Sequence, residues 1–125
     1  MLDHLRQRAV AALSSATAAQ VITDGPAGLQ ASLWPCEASD LRLYILISSA
    51  SDHLVNLEVR RDVMLTTDRW RLEGEASPLT RAAAPDLSLW ERAEAPWSTL
   101  IAVSARRLHL LPDTGWGDGE TLDLD

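Results

Sequence analysis

Three serines, Ser48, Ser49 and Ser51, crowd the start of SSASDHLVNLEVRR, residues 48 to 61, a stretch that then takes on the rhythm of a short helix. Ser51 is a good N-cap and Asp52 suits the positive end of a helix. Leu54, Leu57 and Val59 form an apolar stripe expected to be buried, and Arg60 and Arg61 lie near the C-terminal end of about two turns. The first turn of a helix presents free N–H groups and a partial positive charge. The same residues read as a plain capped helix with nothing bound, and the spacing by itself does not say why three serines gather there.

Other chemistries are narrowed by what the chain lacks. All eleven basic residues are arginine, and without a lysine amine no Schiff base to a carbonyl substrate or pyridoxal phosphate can form. The single cysteine, Cys36, follows Pro35 in an expected strand-end loop and has no histidine near it in sequence, which favours an inert thiol over a nucleophile. His4, His53 and His109 are too scattered for a metal-binding spacing. A net charge of −7 argues against a nucleic-acid partner, whose phosphates demand a basic surface.

The elements that must carry these residues follow from length and period. At 125 residues, 46% apolar and 23% charged, the chain is expected to form one globular domain over residues 1–125. No run approaches the roughly 20 apolar residues of a membrane helix, and Asp3, Arg6 and Arg8 interrupt the N-terminal segment where a signal peptide would be uniformly apolar. No membrane association and a cytoplasmic address are expected. Leu2, Leu5, Ala9, Ala12 or Leu13, and Ala16 recur at helical spacing, predicting an N-terminal helix within residues 1–18. QVIT and LQASLW flank a hairpin turn at Asp24–Gly28. LRLYILIS, residues 41 to 48, alternates Leu41, Leu43, Ile45 and Ile47 on one face; its half-polar other face predicts a strand partly covered on both sides.

After the serine-headed helix, DVMLTT and WRLEGEAS read as antiparallel strands joined at Asp68–Arg69, with Trp70, Leu72, Gly74 and Ala76 inward. Pro78, Pro85 and Pro96 mark a connector with a short helix after Asp86 packing Leu87 and Trp90. In STLIAVSARRLHLLP, Ile101, Val103 and Ala105 share one parity and Leu108 and Leu110 the other, so a bulge near Arg106–Arg107 is expected to reset the phase and bend the strand. Residues 113–125 read as an acidic, glycine-rich, solvated tail.

This order, within LYILISSASDHLVNLEVRRDVMLTTDRWRLEGEAS above all, resembles the FMN-binding split barrel of the pyridoxamine 5'-phosphate oxidase-like family. Ser51, Asn56, Leu57, Val63, Leu65, Gly74 and Ala76 fall on the family pattern without a gap, and RRLHLLPDTGWG is similar to its closing strand; the likeness spans roughly residues 19 to 117. It implies a mainly β, antiparallel split β-barrel with an N-terminal helix, and a homodimer with FMN at the interface. It also implies oxidoreductase chemistry on an unidentified small-molecule substrate, with no catalytic residue identifiable. The phosphate would meet Ser48, Ser49 and Ser51, and Ser32, Leu33 and Trp34 would offer backbone contacts to the ring edge. His53 stands where members carry lysine, and Asp52 where they often carry a basic residue. Arg42, Arg69, Arg71, Arg106 or Arg107 would have to supply the missing charge. The resemblance also fits a split-barrel homodimer without flavin that binds another ligand or serves as a structural protein. Haem, bound by some split-barrel relatives, is less favoured because no histidine is well placed. Trp34, Trp97 and Trp116 are the expected interface anchors.

Overall fold

The computed structural model describes residues 2–124. It opens with α1 (Leu2–Ser14), followed by β1 (Ala18–Thr23), β2 (Gln30–Ser39), β3 (Arg42–Ser48), α2 (Asp52–Val59), β4 (Asp62–Thr66), β5 (Trp70–Leu79), three short 3-10 turns, β6 (Ser98–Leu110) and β7 (Glu120–Asp123). The strands pair antiparallel in the order β3-β2-β1-β4-β5-β6-β7, and β3 also pairs with β6. That pairing closes a six-stranded barrel, with β7 outside the ring. β6 makes the closure possible by its length: Ser98–Ser104 pairs with β3, whereas Arg107–Leu110 passes to β7.

The barrel interior holds Val21, Leu43, Ile45, Ile47, Leu65, Leu72, Val103 and Leu108, all with no exposed surface, and Trp70 at 1%. These are the inward parities expected of alternating strands. From α1, Ala9 and Leu13 are buried on this core, with Leu5, Ala12 and, just past the helix, Ala16 packed against it; the side chain of Leu2 lies outside the described residues. The outer face of β3 is covered as well, since Tyr44 and Leu46 pack with Leu87, Leu89, Leu100 and Ala102 beneath the connector. The expected short helix there is a 3-10 turn, Ser88–Glu91, that buries Leu87 and Leu89. Trp90 is half-buried, with the Arg81 guanidinium 5.1 Å from its ring centroid. Glu37 of β2 ties the turn down by accepting from the Ser88 hydroxyl and the Ser88 and Leu89 N–H groups.

The bulge falls where the parity switch places it. Glu73 pairs with Arg107 and Gly74 with Ala105, leaving Arg106 unpaired in the ladder. The Arg106 guanidinium reaches Asp62 and Glu75 at 3.0 and 2.7 Å.

Three expectations are corrected. The tail is not wholly solvated: Glu120–Asp123 forms β7, with Leu122 buried against the core. Glycine allows this return, because Gly119 adopts φ +72 and a Cβ there would strike the Leu110 carbonyl oxygen. Cys36 lies within β2 rather than in a strand-end loop, pairs with Ile45 and is 4% exposed. Burial, reinforced by the neighbouring Glu37 charge, pushes its thiol up to about 12, so it is not a thiolate at neutral pH. Third, Val59 of α2 is 67% exposed, and the buried residues of that helix are His53 and Asn56.

Candidate functional site

α2 covers the barrel beside the ends of β1 and β2 and turns a polar face inward. His53 and Asn56, three residues apart and hence on one helix face, are 2% and 0% exposed. The helix starts where Ser51 accepts from the His53 N–H at 3.2 Å, as an N-cap should. Thr23, itself 2% exposed at the end of β1, meets His53 Nδ1 through its hydroxyl at 2.7 Å. His53 Nε2 lies 2.7 Å from the Ser32 hydroxyl, and the Trp34 indole N–H donates to that same oxygen at 2.7 Å. Ser32 and Trp34 point inward because Val21 and Ala19, their partners across the ladder, do. Trp34 stands edge-on to the imidazole, with ring centroids 6.5 Å apart. Asn56 anchors the loop between β1 and β2: its Oδ1 accepts from Ala27 N–H at 2.9 Å, and its Nδ2 donates to the Gly28 carbonyl and the Thr23 hydroxyl.

Both His53 nitrogens are therefore occupied within the protein. Burial lowers the pKa of the ring from its usual value, with the nearby Asp52 charge opposing the shift in part, so the imidazole is neutral at neutral pH. Because the folded pKa lies below that of the unfolded chain, the unfolded state binds the extra proton first. The stability this group contributes is complete above about pH 6.5 and falls as pH drops from there towards the lowered folded value. Wild type is expected to lose stability faster than His53→Gln between about pH 7 and about pH 5, as read from urea midpoints. Parallel losses would mean that His53 titrates as an exposed ring.

Of the residues expected at a cofactor site, Ser32, Trp34 and His53 converge in one network, and Ser51 joins it as the cap. Ser48 and Ser49 sit beside them at the end of β3, where the Ser49 hydroxyl meets Thr99 at 2.9 Å and the Ser48 hydroxyl accepts from Ala50 N–H at 3.3 Å. Leu33 points outward, 65% exposed, as strand alternation demands. A cleft of about 390 Å³ runs past Leu33 and Trp34 to Leu46, Arg92, Glu94 and Ser98. None of the arginines expected to compensate the missing lysine lines it. Arg42 lies at the opposite end of β3 from Ser48, about 20 Å away at a strand's rise per residue. Arg106 and Arg107 are paired with carboxylates, and Arg92, the one guanidinium of the cleft among the described residues, is held by Glu94 at 3.0 Å.

Sequence reasoning missed Thr23, and it noted Asn56 without a role. The available signal was polar periodicity, since His53 and Asn56 share a helix face that would otherwise be apolar. Nothing in the local sequence marks Arg92.

No family model and no curated protein matches the sequence. Solved structures match its fold throughout. A protein related to general stress protein 26, of the pyridoxinephosphate oxidase family, from Clostridium acetobutylicum superposes with a TM-score of 0.72 at 12% identity, covering 98% of this chain and 96% of that one. A haem-binding protein from Mycobacterium smegmatis gives 0.67 at 15%, over 94% of this chain and 56% of that one. An FAD-binding protein from Mesorhizobium loti gives 0.61 at 11%, over 82% and 90%. The chain has the split-barrel fold of the pyridoxamine 5'-phosphate oxidase-like proteins. No described helix is long and apolar enough to cross a membrane.

Proposed function

We propose that this chain is an FMN-binding homodimer of the oxidoreductase type, acting on a small molecule, with the flavin ring along Ser32–Trp34 and its phosphate at Ser48, Ser49 and Ser51. The observation that supports this reading is the hydrogen-bonded link from Ser32 and Trp34 through His53 to Ser51 at the serine-rich head of α2, next to a cleft that Trp34 and Ser98, the ladder partner of Ser48, help to line. Flavin, when bound, supplies the redox chemistry, and the protein's part is to hold and orient it. The donors fit such a ligand, whereas the charge of the site does not favour its phosphate: Asp52 stands at the helix head, and His53 is neutral. The ring and the hydroxyls therefore carry the affinity. An FAD-binding protein among the structures of this fold is consistent with a flavin.

FMN and riboflavin are accordingly expected to bind within about tenfold of each other, because no full charge meets the phosphate to add its larger share. Fluorescence quenching and the rise in melting temperature on adding each compound read this out. A large preference for FMN would reveal a cation at the helix head. No response to either flavin would favour the second reading, a flavin-free split barrel binding another ligand, to which Asp52 and the engaged Arg92 lend support. Haem is less favoured, since both nitrogens of His53 are already bonded.

A homodimer accounts for an apolar outer surface. Leu33 and Ala31 share the outward side of β2, Leu29, 73% exposed, stands just before that strand, and Ile22, the partner of Ala31 across the ladder, pairs with Met64 of β4 in turn. Trp97 and Trp116 are 74% and 81% exposed. Leu33→Arg is expected to convert a dimer to a monomer in light scattering. A wild-type monomer at micromolar concentration would remove the shared-site model.

A further inference from the structure

The cleft of about 390 Å³ has two unlike walls. One is the barrel, through Leu33, Trp34 and Pro35 of β2 and Leu46 of β3; the other is the connector, through Arg92 and Glu94. The Arg92 backbone is fixed, since its N–H donates at 3.1 Å to the carbonyl of Leu89, a residue only 4% exposed. The Ser98 hydroxyl donates to the Glu94 carbonyl at 2.8 Å and closes the turn that follows. Both charged side chains therefore extend from anchored backbone. Their bond engages one nitrogen of the guanidinium: Nη2 donates to Glu94 Oε1 at 3.0 Å, and Arg92 Nε and Nη1 have no partner among the described residues. The two side chains are 46% and 57% exposed, and an ion pair so open to water contributes little. A guanidinium binds a carboxylate best through two parallel N–H groups, and Glu94, which meets one, leaves that fork unfilled.

We propose that the cleft takes a small organic acid, with its carboxylate on the open fork of Arg92, its apolar body against the barrel wall, and Glu94 as an internal competitor for the guanidinium. The exchange favours the ligand because its body shields the new ion pair from water, where the attraction between charges is stronger, whereas Glu94 meets Arg92 in solvent. A carboxylate suits the site better than a phosphate, since a single guanidinium faces the ligand and the Glu94 charge repels a dianion more than a monoanion. The acid as the small molecule acted on rests on the function proposed above; the subsite at Arg92 stands without the flavin.

Benzoate and benzamide, one ring with and without the charge, are titrated by ligand-observed NMR into wild type, Arg92→Gln and Glu94→Gln, each with and without excess FMN. Wild type is expected to bind benzoate roughly tenfold more tightly than benzamide, the share of a charge-assisted hydrogen bond. Arg92→Gln should erase that preference and Glu94→Gln raise it severalfold, while benzamide affinity stays the same in all three proteins, a pattern that a merely structural role for either side chain would not produce. Equal binding of acid and amide by wild type, binding of neither, or a preference that survives Arg92→Gln overturns the proposal. Phenyl phosphate binding more tightly than benzoate overturns the choice of a carboxylate. Benzoate competed away by FMN overturns its place beside the flavin, whereas failure of FMN to bind, with the benzoate preference intact, overturns the flavin reading and leaves the Arg92 subsite standing.

Discussion

Asn56→Leu is expected to destabilise the protein by about 3 kcal/mol. The two side chains are nearly the same size, so the change removes hydrogen bonds without opening a cavity. Three partners lose their complement: the Ala27 N–H, the Gly28 carbonyl and the Thr23 hydroxyl. The two backbone groups lie in a loop that water can reach, and each costs about 1 kcal/mol; Thr23 is 2% exposed and bears nearer the full penalty of a buried unsatisfied group, about 1 to 3 kcal/mol. Urea denaturation measures the loss. Glu58→Ala, on the exposed side of the same helix, is the control and should change stability by no more than about 0.5 kcal/mol. A loss below about 1 kcal/mol for Asn56→Leu would show that the loop does not depend on this anchor.

Gly74→Ala is expected to cost a similar amount for an unrelated reason. The added Cβ would press on the Ser104 carbonyl oxygen and lie 3.0 Å from Val103 Cγ1. The obstructing oxygen belongs to backbone held in the β5–β6 ladder, so it cannot swing aside as a side chain would. Overpacking of a well-packed site typically costs about 1 to 3 kcal/mol, and collision with a fixed ladder puts this one at the upper end. In a domain of this size that corresponds to a fall of roughly 10 °C in melting temperature. Ser77→Ala, exposed on the same strand, should leave the melting curve almost unchanged. A near-normal melting temperature for Gly74→Ala would mean that the bulge at Arg106 relaxes to accept the methyl group.

The two variants probe different kinds of legibility. Gly74 was readable as an inward position of a strand, because alternation through Trp70, Leu72 and Ala76 survives whatever the strand pairs with. The bulge opposite it was readable too, from the parity switch between Val103 and Leu108. Asn56 was visible in the sequence, but its task was not. Apolar periodicity in α2 selected Leu54, Leu57 and Val59 as the buried stripe; Leu54 and Leu57 do pack against the core, but Val59 is left outside and the fully buried residues are His53 and Asn56. The criterion missed these two because it assumes that a buried helix face is apolar. A face whose polar groups are all paired is equally admissible, and no buried side-chain polar atom among the described residues lacks a partner.

By itself the sequence determined what depends on period, composition and local backbone preference: alternating inward residues, a capped short helix headed by Ser51, the hairpin turns, the bend in β6, and the absence of lysine chemistry. Only the tertiary structure decided what depends on residues far apart in the chain. Closure by β3 on β6, the return of the tail as β7, the engagement of Arg106 with Asp62 and Glu75, and the meeting of His53 with Thr23 and Ser32 are all of this kind. The physical reason is that a hydroxyl and an imidazole interact strongly only within hydrogen-bonding distance. Thr23 and Ser32 lie 30 and 21 residues before His53, so nothing local in the sequence distinguishes a histidine reaching outward to a phosphate from one enclosed by two hydroxyls.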